Sequence, residues 1–75
     1  MSGVGLRRSG SVVSFDEAVG LGTVAVAGSE GGVSYPFHCT QIADGSRRIP
    51  LGVDVSFVVV AGRGGRWEAA DVRVR

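Results

Sequence analysis

The sequence predicts an all-β domain, a five-stranded antiparallel barrel, on three observations. Valine dominates the apolar residues, and β-branched side chains suit strands. Thirteen glycines and two prolines in 75 residues cut the chain into short apolar runs, which supply tight turns and kinks. No stretch carries a long 3.6-residue apolar period, so no substantial helix is expected. A chain of this length is one domain with a small core, and closing its sheet on itself removes exposed edges.

Residues 1–9, small and polar around the Arg7–Arg8 pair, read as a flexible tail, and the folded domain as residues 10–75. Strand one is expected over Ser11 to Asp16, where Val12, Val13 and Phe15 do not alternate cleanly, as in a bent strand. Asp16 to Gly20 is a turn. Strand two runs from Leu21 to Ala27, with Gly22, Val24 and Val26 on one face and Leu21 and Thr23 on the other. Gly28-Ser29-Glu30-Gly31-Gly32 is a hairpin loop.

Strand three runs from Val33 to His38. Val33, Tyr35 and Phe37 read as core; Ser34, Pro36 and His38 face outward, and Pro36 marks an edge or an irregular place. Cys39 to Leu51 is the longest connection, and its position after strand three suits an OB-type barrel. Strand four, Val53 to Ala61, alternates most clearly, with Val53, Val55, Phe57 and Val59 on one face. Gly62 to Arg66 is a basic turn, and strand five from Trp67 to Val74 closes the sheet.

Composition excludes several function classes. The net charge of +1 is too small to demand an anionic partner, although all eight basic residues are arginine, whose planar guanidinium stacks and grips phosphate. The single cysteine, Cys39, has no internal partner and points to a reducing cytoplasm. No signal peptide and no membrane-length apolar run is visible. His38 and Cys39 are strand neighbours on opposite faces, so they suit neither a metal site nor a Cys–His nucleophile. The glycine runs lack the Lys-Ser/Thr and the following helix of phosphate loops, and no carboxylates pair for acid–base work. The expectation is no catalytic residue, no metal, no cofactor and no enzyme.

The order of motifs resembles the bacterial cold-shock domain across Gly10 to about Val74. Gly10-Ser11-Val12-Val13-Ser14-Phe15-Asp16 stands where that family has Gly-x-Val-x-Trp-Phe-Asn, and Val19-Gly20-Leu21-Gly22-Thr23-Val24 where it has Lys-Gly-Phe-Gly-Phe-Ile. Tyr35-Pro36-Phe37-His38-Cys39-Thr40-Gln41-Ile42 is similar to Val-Phe-Val-His-Phe-Ser-Ala-Ile, and Glu68-Ala69-Ala70-Asp71-Val72 to Gln-Ala-Ala-Asn-Val. The resemblance implies a cold-shock-type OB barrel that binds single-stranded RNA or DNA by stacking bases on surface rings.

The ring positions are where this chain departs. Ser14, Leu21, Thr23, Pro36 and Cys39 stand where the family carries aromatic residues, and Val13 and Val19 where it carries lysines. Stacking is worth roughly 1–3 kcal/mol per base, so losing five rings costs on the order of 5 kcal/mol and turns a nanomolar binder into a micromolar one at best. The nucleic-acid candidates that remain are Phe15, His38, Arg47, Arg63, Arg66 and Trp67. Trp67 either stacks on a base or covers the open end of the barrel. The alternative function is protein contact or self-association through Val13, Leu21, Thr23, Pro36 and Cys39, a small aliphatic surface.

Overall fold

The computed structural model describes residues 7–28 and 32–75, with Arg63 described by its backbone alone. Five strands form one antiparallel sheet: β1 (Arg7–Asp16), β2 (Leu21–Val26), β3 (Ser34–His38), β4 (Asp54–Ala61) and β5 (Trp67–Val74), in the order β3-β2-β1-β4-β5. Five strands are expected, and five appear, close to the expected positions along the chain. The centre of the hairpin loop, residues 29–31, lies outside the described residues.

β1 is long because it serves two partners. Its first half, Arg7 to Ser11, pairs with β4, and Gly10 to Asp16 pairs with β2. Val13 is the bulged residue: the register slips between Val12 and Ser14. The bulge bends the strand and explains the broken alternation of Val12, Val13 and Phe15. Gly10 lies in the shared stretch, where a Cβ would overlap the Ala25 carbonyl oxygen.

Arg7, Arg8 and Ser9, expected in a tail, belong to β1. Nothing apolar in these residues announces a strand; distant partners hold them. Arg7 pairs in register with Val58, and its guanidinium reaches the hydroxyl of Ser56 at 3.0 Å and the carboxylate of Asp71. Asp71 sits at positive φ (49°) close to the register slip in the β4–β5 ladder. Partial burial raises its carboxyl pKa, but the hydrogen bond from Arg73 and the charges of Arg73 and Arg7 outweigh that, and the pKa lies below the ordinary value.

The sheet closes between its ends. β3 comes against β5, and the 3₁₀ turn Cys39–Gln41 that follows β3 leads into a parallel bridge between Ile42 and Val72. The Ala43 N–H donates to the Val72 carbonyl at 2.8 Å, and the Asp71 N–H to the Gln41 side-chain oxygen at 3.3 Å.

Inside lie Val12, Val24, Phe37, Ile42, Ile49, Val55, Phe57, Ala69 and Val72. Each large one contributes about 1.5–3 kcal/mol by leaving water. Ile49 ties the long connection to this core. Val33, expected inside, is 43% exposed, because it lies beyond the last β2–β3 pair, Ala25 with Ser34.

Candidate functional site

The outward face of β1–β3 is set by cross-strand registers. Ser14, Thr23 and Pro36 form one row; Asp16, Leu21 and His38 form the next. Leu21 is 51% exposed and the bulged Val13 52%, so the face is open, small and partly aliphatic. Cys39 departs from it: its sulfur packs over Gly20, where a Cβ would meet it at 2.8 Å, and the residue lies against the core.

The aromatic residues are spent elsewhere. The chain has five, Phe15, Tyr35, Phe37, Phe57 and Trp67. Phe15 stacks on buried Phe37, with ring centroids 5.9 Å apart and planes 16° from parallel. Both rings close over Gly22, where a Cβ would meet them at 2.6–2.8 Å. Phe15 is therefore on the core side, away from the row of Leu21 and His38. Tyr35 tilts against Phe57 at 6.3 Å.

Trp67 alone projects, 60% exposed, at the start of β5 opposite Ala61. At that exposure most of the Trp67 ring stands in solvent. The turn before it is tight: Gly62 N–H donates to the Arg66 carbonyl at 2.6 Å, and Gly64 and Gly65 take positive φ. Arg66 is exposed beside Trp67, while the Arg63 side chain lies outside the described residues.

His38 is exposed at the end of β3. Its Nδ1 accepts the Thr40 N–H at 3.2 Å and lies 3.0 Å from the Thr40 hydroxyl, capping the 3₁₀ turn. With Nδ1 so used, the neutral ring carries its proton on Nε2. Two depressions meet at this residue. One is shared with Glu17, Val19, Gly20 and Arg47. The other runs between β3 and the end of the β4–β5 hairpin, from His38 and Leu21 to Gly62 and Glu68.

The two arginines of the long connection differ. Arg48 is paired with Glu17 at 3.3 Å, whereas Arg47 makes no ion pair among the described residues. The structure therefore brings His38 and Arg47 together at one depression, sets Trp67 and Arg66 on the facing hairpin, and leaves Phe15 on the core side. Glu68, which the sequence reading did not single out, lines the groove between the two banks. Its carboxyl lies so close to Gly62 that a Cβ there would overlap it. A glycine six residues before an acidic residue across a hairpin was the available signal.

No protein-family model and no curated protein sequence matches this chain. Among solved structures it is similar to Drosophila Unr CSD456, at 25% identity and a TM-score of 0.71 over 95% of this chain. The fold is that of a cold-shock domain. The match spans 27% of the Unr chain.

Proposed function

We propose that this cold-shock-type barrel binds single-stranded RNA or DNA weakly, through Trp67, His38 and neighbouring arginines rather than through a face of stacked rings. The observation that carries the reading is Trp67: the one aromatic side chain left mostly in water stands beside a basic turn, on the hairpin whose Gly62 and Glu68 line a groove with exposed His38. A ring stacks on any base, and Arg66, Arg63 and Arg47 supply charge for the backbone. Likeness to a cold-shock domain supports nucleic acid as the class of partner. Asp16 and Glu17 near the same face keep the attraction small, so binding is expected at low salt and to fade as salt rises.

Trp67 is the only tryptophan, so its fluorescence reads its own contact. Saturable quenching by short oligo-U or oligo-dT at low salt, lost on raising salt, is the expected result. Unchanged emission at high micromolar oligonucleotide contradicts it.

The exposure of Val13 and Leu21 favours a second reading, contact with a protein or a second copy of the chain through this aliphatic face. On that reading Leu21→Asp abolishes association and leaves the fold intact. Sedimentation showing the same association in wild type and variant removes it.

A further inference from the structure

Glu68 poses a problem for any polyanion partner. Its carboxylate lines the groove between β3 and the β4–β5 hairpin and has no hydrogen-bond or ion-pair partner among the described residues. A carboxylate there repels phosphate. It is nonetheless seated: it packs on Gly62, the one residue type whose lack of a Cβ leaves the space. Around it the groove offers an apolar lining, from Leu21, Pro36 and Ala61, and donors on the opposite bank. His38 presents only Nε2–H, since Thr40 holds Nδ1. Gln41 spends its side-chain oxygen on the Asp71 N–H, which leaves its amide NH₂ as the free end.

We propose that this groove is a base-reading pocket, with Glu68 as the acceptor that selects guanine. The inference rests on the reading that the chain binds single-stranded nucleic acid. The choice of base follows from donor and acceptor patterns. A carboxylate takes two adjacent N–H donors, and among the bases guanine alone offers such a pair, N1–H beside the N2 amino group. Its O6 and N7 are acceptors, which suit the His38 and Gln41 donors. Uracil and thymine flank their single N3–H with carbonyl oxygens, which face the carboxylate unfavourably. Cytosine and adenine put a ring-nitrogen lone pair beside their amino group.

The test uses the full chain at low salt and three short strands: oligo-U, oligo-U with one central guanine, and the same strand with inosine, which lacks the N2 amino group. The guanine strand is expected to bind about tenfold tighter than oligo-U, as for a good bidentate base contact, and inosine to lose most of the gain. Glu68→Gln is expected to bring the guanine strand down to the oligo-U level without weakening oligo-U. Gly62→Ala, which pushes the carboxyl aside, is expected to do the same; if that variant does not fold, Glu68→Gln suffices. Equal affinity for all three strands, or equal tightening of all three by Glu68→Gln, shows that the carboxylate merely repels phosphate. Either result overturns the pocket and leaves nucleic-acid binding standing. If no strand binds the wild type, both fall.

Discussion

Phe15 lies on Phe37 across the bare backbone of Gly22, the two rings nearly parallel at 5.9 Å. This contact places on the core side a ring that the motif order offered as a ligand contact. It also explains why Gly22 is a glycine: the rings occupy the volume of any side chain there. Gly22→Ala forces both rings to move, and overpacking of this kind costs about 1–3 kcal/mol. Phe37→Ala leaves a cavity in the centre and costs about 3–5 kcal/mol. Urea unfolding of the two variants measures both, and Phe15→Ala is expected to reduce stability as well as any binding.

Trp67 behaves in the opposite way. A side chain that exposed supports little of the core, so Trp67→Ala is expected to change stability by no more than about 0.5 kcal/mol. Its effect falls on the ligand: affinity for oligo-U drops about tenfold, the lower range of one lost base stack. Thermal melts paired with anisotropy titrations separate the two effects.

Arg47 and Arg48 are neighbours with different tasks. Arg48 already has Glu17, while Arg47 has no ion pair among the described residues at the depression beside His38. Arg47→Ala is expected to weaken nucleic-acid binding and to lower the slope of log affinity against log salt by about one. Arg48→Ala is expected to change that slope less. Titrations at several salt concentrations give both slopes.

Asp71 links stability to pH. Its carboxyl titrates below its ordinary value, because the favourable Arg73 and Arg7 contacts exceed the raising effect of burial. A depressed carboxyl contributes stability above its unfolded pKa of about 3.9, and that contribution disappears as pH falls through the lower folded value. Asp71→Asn is therefore expected to lower stability at neutral pH and to flatten its fall in acid. Melting temperatures of both proteins across the acid range check this; parallel curves contradict it.

The parts legible in the sequence share one cause, local patterning. Val55, Phe57 and Val59 alternate with their neighbours, so β4 could be read directly, and the glycines between apolar runs marked the turns. What escaped depends on distant partners. Arg7 to Ser9 form a strand only because β4 lies beside them and Asp71 holds Arg7. Phe15 could be read as ligand contact or part core until the Val13 bulge set the sense of alternation after it. Trp67 could be assigned to neither packing nor contact before its exposure was known. For Glu68 the sequence held only the Gly62 spacing, because its meaning comes from packing on Gly62 across the hairpin and from His38 across the groove.

The central claim is that binding has moved from a ring-lined face to the groove edge formed by His38 and the β4–β5 hairpin. A ¹⁵N–¹H NMR titration with short oligo-U and oligo-dT at low salt tests it most directly. The account predicts shifts clustered on His38, Arg47, Trp67 and the Gly62–Arg66 turn, fading as salt rises. An absence of shifts at high micromolar oligonucleotide, or shifts confined to β1 and β2 around Ser14 and Thr23, would contradict it.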